Sequence, residues 1–447
     1  MSHPLSRRRL VGMAAAAAAA ADSEIAFDAR PMESVRVGFV GVGDRGVGLL
    51  RQFLRVTGCR LTAVCDLVPE RVARAQRLAV DAGHPEPAGY SGGPEEYRRL
   101  CDRDDVDIVA IITPWNLHAP MCVAALKAGK HAAVETPAAQ TVAECWQMVE
   151  ASEKSRKHCM LLENYCYFRE VMCILNMLRQ GVLGEPMHIH AGYQKEALYY
   201  AVNSDGTLTF AGEGARNRMG NYYPTHFAGP SAQWLDINRG DRFEYLVSMG
   251  NFARSFNKYG REVFGPDSTL AKTDFPMSDI NNSLIRTANG RSLHLFLDTR
   301  SPRPYRHVYT LMATNGIYEH TEKRIHINGR SPGEWTRQGK RTAPREWEPI
   351  AKYYGEFEHP LWRDLGAKAA SSGHNGGDFM CCHRVVEALR LGAYPDIDVY
   401  DTVTWSVIVE LSDQSAKNRS KLMEFPDFTR GRWKNRKPLP VQGLRLS

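Results

Sequence analysis

The sequence predicts a two-domain α/β protein, in which a doubly wound domain with a parallel sheet precedes an α+β domain with an open, mainly antiparallel sheet. Three observations support this prediction. Short apolar strands alternate with helical patterns from about residue 33 to residue 165, and longer β-rich segments dominate from about residue 185. The chain, with 447 residues, is also long enough for two domains and a tail.

The first strand runs directly into a glycine-rich turn. Val35 to Val40 is apolar, Gly41 to Gly46 reads G-V-G-D-R-G, and an apolar helical pattern follows. In this context the glycines let the backbone approach a pyrophosphate, and the helix N-terminus offers it free N–H groups. The next strand, Leu61 to Cys65, ends at Asp66, whose carboxylate suits the hydroxyl groups of an adenosine ribose and repels a 2′-phosphate. The sequence therefore predicts an N-terminal Rossmann domain that binds NAD rather than NADP.

The alternation of strands and helices continues to about residue 162. Asp107 to Ile112, His131 to Val134 and Cys159 to Leu162 are predicted as buried parallel strands. Helices are predicted over Ala119 to Lys127 and, from a capping-box pattern, over Thr141 to Lys157. Ligands of such a sheet bind beyond the carboxyl ends of its strands.

The second half of the chain is richer in strands, and Asn289-Gly290 is a hairpin signal between two of them. The predicted strands are Met187 to Gln194, Phe243 to Met249, Asn282 to Thr287, Ser292 to Thr299 and Val308 to Ala313. Helices over Phe379 to Leu391 and Val403 to Ala416 are expected to pack back on the first domain. The predicted domains are residues 33–165 for NAD, residues 166–431 for the substrate, and a tail over 432–447.

The first residues resemble a twin-arginine export signal. Arg7, Arg8 and Arg9 precede Leu10, and an alanine run ends at Ala21. The apolar run is too short to span a membrane, which takes about 20 residues. We therefore expect residues 1–21 to be a signal peptide and the mature protein to be periplasmic or secreted. A disordered, alanine-rich start is the alternative.

Composition argues against several other classes of protein. The formal charge of +7 is modest, and basic residues are not interleaved with aromatic ones in a stripe, so we expect no nucleic-acid partner. The ten cysteines include no CxxC pair, so neither a zinc site nor a disulfide framework is expected. His188 and His190 alternate on one strand without a third ligand nearby, and the sequence predicts no metal.

Several segments resemble the Gfo/Idh/MocA oxidoreductases. They are Thr113 to His118, with the pattern Thr-Pro-x-x-x-His, the loop Ala128 to His131, and Glu135 to Pro137. Members of that family usually read Glu-Lys-Pro at the last of these, and the lysine assists proton transfer during dehydrogenation. Here the lysine position is Thr136, so the usual acid/base of a net dehydrogenase is missing.

Longer segments resemble glycoside hydrolase family 109, the NAD-dependent branch typified by α-N-acetylgalactosaminidases. They include Glu163 to Tyr167, Gly220 to His226, Asp236 to Phe243, Ser301 to Tyr305 and Phe425 to Gly431. The resemblance implies a glycosidase that holds NAD tightly and acts on a small carbohydrate or glycoconjugate. It also implies cleavage by transient oxidation at C3, elimination, water addition and re-reduction, with the cofactor regenerated in each turnover.

The same resemblance implies roles for individual residues. Tyr167 corresponds to the base at C2, Tyr223 and His226 to the pair at the C3 hydroxyl, and His374 to the acid/base at the leaving group. The implied substrate-binding residues are Tyr193, Tyr223, Pro224, Thr225, His226 and Tyr305. The implied NAD-binding residues are Gly41, Gly43, Asp44, Arg45, Gly46, Asp66, Trp115, Asn116, Leu117, His118, Glu135, Thr136, Asn164 and Tyr223.

One departure from the family pattern bears on the substrate. Family members generally carry a substrate-binding arginine at the position of Ala211. The identity of the sugar, its anomer and the aglycone therefore stay open. The sequence also leaves the oligomeric state open, and a homo-oligomer is one of the options. The alternative functions are a sugar or polyol dehydrogenase, which would accumulate NADH, and an NAD-binding scaffold with a decayed site.

Overall fold

The computed structural model describes Phe27, residues 30–333 and residues 344–444. The predicted signal peptide, residues 1–21, lies outside these described residues. Two sheets organise the described part of the chain, one with six strands and one with nine. The predicted fold class is confirmed.

The first sheet is parallel and has the strand order β3-β2-β1-β4-β5-β6. Its strands are β1 (Val35–Val40), β2 (Cys59–Cys65), β3 (Ala88–Tyr90), β4 (Ile108–Ile111), β5 (His131–Val134) and β6 (Cys159–Leu161). The helices between them are α1 (Asp44–Phe53), α2 (Pro69–Asp81), α3 (Glu96–Cys101), α4 (Trp115–Lys127) and α5 (Val142–Ser155). The order reverses between β1 and β4, which is where a doubly wound sheet forms its ligand crevice.

Local chemistry explains several of these boundaries. The Thr141 side chain accepts a hydrogen bond from the backbone N–H of Glu144, and the Glu144 carboxylate accepts one from the backbone of Thr141, so the predicted capping box begins α5. Strands β4 and β5 are buried along their whole length, as strands covered by helices on both faces must be.

The second sheet is mixed and mainly antiparallel, with the order β14-β13-β12-β11-β7-β10-β9-β8-β15. Its strands are β7 (Pro186–Gln194), β8 (Phe243–Gly250), β9 (Ile280–Thr287), β10 (Ser292–Asp298), β11 (Arg306–Ala313), β12 (Gly316–Glu319), β13 (Arg324–Ile327), β14 (Glu348–Pro349) and β15 (Met423–Glu424). The hairpin predicted at Asn289-Gly290 joins β9 to β10, and Gly290 has a φ of 86°, which glycine adopts without strain.

Strands β7 and β10 pair in parallel at the centre of this sheet, with Gln194 opposite Asp298. The pairing continues past the strand ends, since the backbone N–H of Lys195 donates to the carbonyl of Asp298 across 2.9 Å. The loops that follow the two strands therefore begin side by side at one edge of the sheet.

The helices of the second half serve two purposes. Some belong to the second domain, and the last ones return to the first domain. They are α6 (Arg169–Arg179), α7 (Leu198–Ala201), α8 (Phe210–Arg216), α9 (Thr225–Trp234), α10 (Ser255–Phe264), α11 (Thr269–Lys272), α12 (Tyr354–Phe357), α13 (Pro360–Ala369), α14 (Gly377–Leu391), α15 (Val399–Ser406) and α16 (Ile408–Lys417). Helix α14 contacts α1, and the fully buried α15 contacts α5 and β6, as expected for helices that complete the first domain.

The predicted strands and helices exist, and their ends agree to within four residues. Helix α4 begins at Trp115 rather than at the predicted Ala119, and the last predicted helix differs most. The helix predicted from Val403 begins at Val399 instead and is divided at Val407 into α15 and α16. The earlier start has a local cause, because Asp398 caps α15 and forms a capping box with Asp401.

Within the described residues, no helix is both long and apolar enough to cross a membrane. The ten cysteines are all buried and unpaired there. The described part of the chain also has no group of three or more His, Cys, Asp or Glu side chains that could hold a metal ion.

Candidate active site

A cavity of about 930 Å³ opens at the carboxyl ends of the strands of the first sheet and is lined by residues of both domains. Gly41 follows β1, Asp66 follows β2, and Glu135 follows β5, so three strand ends contribute directly to its wall. The other wall includes Tyr193, at the end of β7, and Tyr305, before β11. This is the position at which an open α/β sheet binds its ligands.

The glycine-rich turn has the geometry that a dinucleotide requires. Gly41 has a φ of 89°, and a Cβ there would lie 2.2 Å from the carbonyl oxygen of Ile112. A Cβ at Gly46 would lie 2.1 Å from the carbonyl oxygen of Gly41, so these two glycines allow strand and helix to pack closely. At Gly43 the nearest atom to such a Cβ is Arg71 Nη1, 3.9 Å away, which leaves a cradle at the start of α1 that a side chain would fill.

Asp66 is held at the end of β2 by its neighbours. Its carboxylate accepts hydrogen bonds from the backbone N–H groups of Val42, at 2.9 Å, and Val68, at 3.0 Å. Arg71 Nη1 lies 3.6 Å from the same carboxylate. Both oxygens keep lone pairs for further donors, so the carboxylate can still accept hydrogen bonds from ribose hydroxyl groups.

Arg45 connects the two walls of the cavity. Its Nε donates to Glu135 across 2.5 Å, and its Nη1 donates to both carboxylate oxygens of Asp378, at 3.0 and 3.1 Å. Burial alone would raise the pKa of both carboxyl groups. The charge of Arg45 outweighs that effect for Glu135, and a hydrogen bond from His374 together with Arg45 does so for Asp378, so both pKa values lie below their ordinary range.

Asn164 lies beside this network and offers an unused acceptor. Its Nδ2 donates to Asp378 across 2.7 Å, while its buried Oδ1 has no hydrogen-bond partner among the described residues. A buried amide oxygen without a partner is rare in proteins. Asn164 is a lining residue of the cavity, so its unpartnered oxygen and the open cradle at Gly43 both indicate a site for a bound molecule. The residues present therefore fit NAD.

A chain of hydrogen bonds runs from the cavity into the protein interior. The Tyr223 hydroxyl lies 3.0 Å from His226 Nε2, and His226 Nδ1 lies 2.7 Å from Glu163 Oε1. Thr136 Oγ1 donates to the Tyr223 hydroxyl across 3.3 Å. Glu163 is fully buried, and its Oε2 has no partner among the described residues. Because a carboxylate accepts hydrogen bonds, we assign the N–H of His226 to Nδ1, which leaves Nε2 free to accept a proton from Tyr223.

A second group of hydroxyl and imidazole side chains lies next to this relay. The Tyr165 hydroxyl is 2.7 Å from the Tyr305 hydroxyl and 2.8 Å from His307 Nε2, and Tyr305 also bonds His307. The Tyr165 ring stacks on the ring of His226, with the ring centroids 3.9 Å apart. Burial lowers the pKa of His307 to about 2, and nearby positive and imidazole groups act in the same direction, so this ring is neutral. Burial also raises the pKa of Tyr165 well above its ordinary value.

Tyr167, which the sequence suggested as the base at C2, lies elsewhere. Its side chain is buried, its hydroxyl bonds Asp396 Oδ2 at 3.2 Å, and its carbonyl accepts a hydrogen bond from Trp362. It is not among the described residues that line the cavity. The structure therefore does not support that role, because the short 3₁₀ helix Asn164–Tyr167 turns Tyr165, rather than Tyr167, toward the cavity.

His374 lies in a loop with unusual backbone conformation before α14. His374, Asn375 and Gly376 all have positive φ values, of 49°, 51° and 91°. His374 Nδ1 lies 2.9 Å from Asp378 Oδ2, and this contact ties the loop to the Arg45 network. The His374 side chain is 43% exposed at the edge of the cavity, where it can meet both substrate and water.

Most of the residues that the sequence predicts for the site line the cavity. The predicted NAD-binding residues that line the cavity are Gly41, Gly43, Asp44, Arg45, Gly46, Asp66, Trp115, Leu117, His118, Glu135, Thr136, Asn164 and Tyr223. Tyr193, His226, Tyr305 and His374 line it on the substrate side. Asn116, Pro224 and Thr225 are not among the described lining residues, and Thr225 is fully buried at the start of α9. The binding roles of all these residues stay predictions.

Sequence reasoning missed four residues of the hydrogen-bonded groups around the cavity. Glu163 and Tyr165 follow β6, and the rule that ligands bind beyond strand ends points to that segment, although it does not separate Tyr165 from Tyr167. Asp378 is adjacent to the predicted histidine loop. His307 has no local signal, because it joins the site only through the packing of β11 beside β7.

Comparison with known proteins identifies the family. Residues 167–435 match the model "Glycosyl hydrolase 109, C-terminal domain", and residues 35–163 match "Oxidoreductase family, NAD-binding Rossmann fold". An α-N-acetylgalactosaminidase of Shewanella oneidensis is 41% identical over 424 residues, which are 94% of this chain and 91% of the relative. A glycosyl hydrolase family 109 protein of Shewanella pealeana is 41% identical over 92% of this chain and 89% of the relative.

The chain belongs to glycoside hydrolase family 109. It is an NAD-dependent glycoside hydrolase with a Gfo/Idh/MocA-type Rossmann domain. Its fold is that of sugar dehydrogenases. A levoglucosan dehydrogenase in complex with NADH and levoglucosan superposes with a TM-score of 0.63 at 20% identity, over 88% of this chain and 100% of that one. An inositol dehydrogenase homologue from Azotobacter vinelandii, in complex with NAD⁺, gives 0.64 at 17% identity, over 89% and 99%.

Proposed function

We propose that this family 109 enzyme removes an N-acetylgalactosamine-type sugar from a glycoside by transient oxidation at C3, with NAD retained through each turnover. The name of the Shewanella oneidensis relative supports this sugar class. A single observation carries the mechanism, namely the relay from Tyr223 through His226 to Glu163 at the cavity wall. When bound, NAD supplies a reversible hydride acceptor, and Asp66, Asn164 and the turn at Gly43 would hold it.

The relay suits removal of the proton from the C3 hydroxyl. The Tyr223 oxygen takes that proton while its own proton passes to His226 Nε2, and the buried Glu163 carboxylate stabilises the imidazolium that forms. The reverse transfer returns the proton when C3 is reduced again. Thr136 donates to the Tyr223 hydroxyl and so orients it, and it offers no amine for the lysine chemistry of the dehydrogenases.

Elimination needs a base at C2 and an acid at the leaving oxygen. Tyr165 is the residue that the geometry favours as the base, because it lines the cavity and its hydroxyl lies 2.8 Å from the neutral His307 ring. The Tyr165 oxygen takes the C2 proton as its own proton passes to His307 Nε2, and the reverse transfer returns a proton to C2. His374 gives a proton to the aglycone oxygen as the C1–O bond breaks. Water then adds at C1, C2 regains a proton, and C3 is reduced, so the cofactor ends each turnover as it began.

The test of this function is a set of α- and β-linked aryl glycosides, incubated with the purified enzyme in D₂O without added NAD. We expect aglycone release, deuterium at C2 of the freed sugar and no accumulation of NADH. Cleavage with full retention of protium at C2 would contradict the proposal, since a mechanism with two carboxylates leaves C2 untouched. Accumulation of NADH without aglycone release would support the alternative, a sugar or polyol dehydrogenase.

We also propose that the protein is exported from the cytoplasm. The twin-arginine pattern at Arg7 to Arg9 and the alanine run to Ala21 support transport to the periplasm or the medium. That route carries folded proteins, so NAD can be bound in the cytoplasm and leave with the enzyme. A cofactor that is restored in every turnover needs no supply outside the cytoplasm.

A further inference from the structure

The part of the cavity wall that the second domain contributes is positively charged. Lys195 and Arg300 both line it, and the described residues of this domain add no Asp or Glu side chain to the lining. The acidic residues of the lining come from the first domain and are Asp44, Asp66, Glu95 and Glu135. A cleft lined by charges of one sign attracts a ligand of the other.

Arg300 is a buried cation without a counterion. Its side chain belongs to the most buried large side chains of the protein, with 2% of the residue exposed. The guanidinium lies over the rings of Phe256, 4.2 Å from the centroid, and Tyr222, at 5.7 Å. Its Nη2 donates to the Met277 sulfur across 3.7 Å, and its Nε has no hydrogen-bond partner. Among the described residues no carboxylate pairs with it. A guanidinium stays charged in proteins, and to bury it unpaired is costly, which indicates that a ligand supplies the missing anion.

Asp298, which precedes Arg300 by two residues in the sequence, has hydrogen-bond partners other than the Arg300 guanidinium for both of its carboxylate oxygens. Its Oδ1 accepts from the backbone N–H groups of Arg300 and Ser301, at 3.3 and 3.0 Å. Its Oδ2 pairs with Arg303 Nη1 across 2.9 Å. Asp298 therefore holds the shape of the loop after β10 and leaves the guanidinium of Arg300 unneutralised.

Lys195 brings the second charge to the same edge of the sheet. It follows β7, and its backbone N–H donates to the carbonyl of Asp298, two residues before Arg300. Its Nζ lies 5.6 Å from the ring centroid of Tyr305 and 5.7 Å from that of Tyr199. Within the described ranges it forms no ion pair with a carboxylate. Two cations on adjacent loops thus face the substrate side of the cavity.

We infer that the sugar released by this enzyme carries an anionic substituent, a carboxylate or a sulfate ester, which Arg300 and Lys195 bind. This inference rests on the proposed glycosidase function and defines its substrate class. A guanidinium forms charge-assisted hydrogen bonds with the oxygens of such a group, and the ammonium adds a point charge. Arg300 lies over Tyr222, and both line the cavity together with the relay residue Tyr223, so we place the anion on the sugar ring.

The test compares three nitrophenyl glycosides of one sugar in both anomers, namely the neutral sugar, its 6-sulfate and its 6-carboxylate. With the purified holoenzyme we expect kcat/KM to be at least about tenfold higher for an anionic member, and this preference should weaken as salt is added. Comparison of kcat/KM for the 6-sulfate and the 6-carboxylate shows which anion the enzyme prefers. Equal kcat/KM for all three would overturn the inference and leave the glycosidase intact. No cleavage and no C2 exchange with any of them would contradict the proposed function, and the inference with it.

Variants of Arg300 and Lys195 test which side chain produces the preference for an anionic substrate. Arg300→Met and Lys195→Met should each lower the ratio of kcat/KM for the anionic over the neutral substrate by about tenfold to a hundredfold. Arg300→Lys keeps the charge and should recover part of the ratio, and thermal unfolding shows whether each variant is folded. Arg306→Gln removes an exposed cation at the start of β11 that does not line the cavity, and the ratio should stay as in the wild type. An unchanged ratio in folded Arg300→Met or Lys195→Met would contradict the assignment of that residue.

Discussion

Glu163 Oε1 lies 2.7 Å from His226 Nδ1, and this contact decides which ring nitrogen faces Tyr223. The carboxylate is fully buried, and its other oxygen has no partner among the described residues, so its charge acts mainly on the imidazole. The pair has the logic of an aspartate behind a catalytic histidine, which fixes the tautomer and stabilises the protonated ring.

Glu163→Gln should therefore slow the oxidation step. The amide of glutamine can donate to Nδ1, which places the imidazole proton on Nε2 and prevents it from accepting the proton of Tyr223. We expect kcat to fall about a hundredfold to ten-thousandfold, as general-base losses typically do. The measurement is the rate of aryl glycoside cleavage, together with the rate at which reduced cofactor forms in a single turnover.

Glu170→Gln is the matched control for this change. Glu170 is also buried, but its carboxylate pairs with Lys323 across 2.6 Å and does not line the cavity. Its substitution should lower the stability without lowering kcat. Equal loss of kcat in both variants would mean that Glu163 acts only through the fold.

Variants of Tyr165 and Tyr167, which lie in one 3₁₀ turn, distinguish the proposed base at C2 from a structural tyrosine. Tyr165→Phe should abolish deuterium uptake at C2 while the C3 oxidation persists, because Tyr165 lines the cavity. Tyr167→Phe removes only a hydroxyl bonded to Asp396, so C2 exchange and cleavage should continue, with a lower melting temperature. NMR of the sugar in D₂O measures both. If exchange were lost with Tyr167→Phe and kept with Tyr165→Phe, the assignment would be reversed.

The Arg45 network makes stability depend on pH in a defined direction. The pKa values of Glu135 and Asp378 are lowered on folding, so these groups bind protons less readily in the folded state. Their contribution to stability is fully present above the ordinary carboxyl pKa, near 4, and is lost as the pH falls through the lowered values.

Arg45→Met should therefore destabilise the protein most at neutral pH. Removing one partner of this network should cost on the order of 3 kcal/mol at pH 7, and the difference from the wild type should shrink below about pH 4. Thermal unfolding from pH 7 to pH 3 measures it. Arg99→Met is the control, since Arg99 is 69% exposed beside Glu96 and should have little effect at any pH. A difference that grows toward acid pH would refute this explanation.

Asp66 should determine the choice of cofactor. The purified enzyme should release NAD(H), and not NADP(H), on denaturation. Asp66→Ser removes the charge that repels a 2′-phosphate and leaves Arg71 close by, so the preference for NAD over NADP should fall by at least about tenfold. Titration of nucleotide-free protein with both cofactors measures the ratio. Finding NADP in the wild-type enzyme would be incompatible with this role.

The export signal can be tested without enzyme activity. Replacing Arg7 and Arg8 by lysine in a reporter fusion should leave the reporter in the cytoplasm, because the twin-arginine route reads the arginine pair. A fusion with Arg9 replaced by lysine keeps the pair and is the control. Unchanged export of the double variant would mean that another signal directs this protein.

Periodicity alone predicted the main strands of both sheets, because a buried strand or a hairpin leaves its pattern in adjacent residues. The parallel pairing of β7 with β10 left no such pattern, since it joins segments about a hundred residues apart. Short strands such as β12 and β13 were missed for a related reason. They are only four residues long, and their place in the sheet depends on β11.

Some residues of the site could likewise be predicted from the sequence, and others could not. The turn at Gly41 to Gly46 and the carboxylate of Asp66 could be predicted, because strand, turn and helix follow each other in the chain. The choice between Tyr165 and Tyr167 depends on one 3₁₀ turn, which periodicity does not resolve. The charges of Lys195 and Arg300 become meaningful only when the structure shows which carboxylates are already paired.

The return of α15 to the first domain has a consequence for biosynthesis. The surface that α15 covers is formed by α5 and β6, which leave the ribosome about 240 residues earlier. At roughly 5–20 residues per second, that apolar surface waits about 10–50 s for its last helix. The nascent Rossmann domain therefore exposes this surface during the interval, and the cavity, whose lining extends to His374, is complete only after most of the chain has been translated.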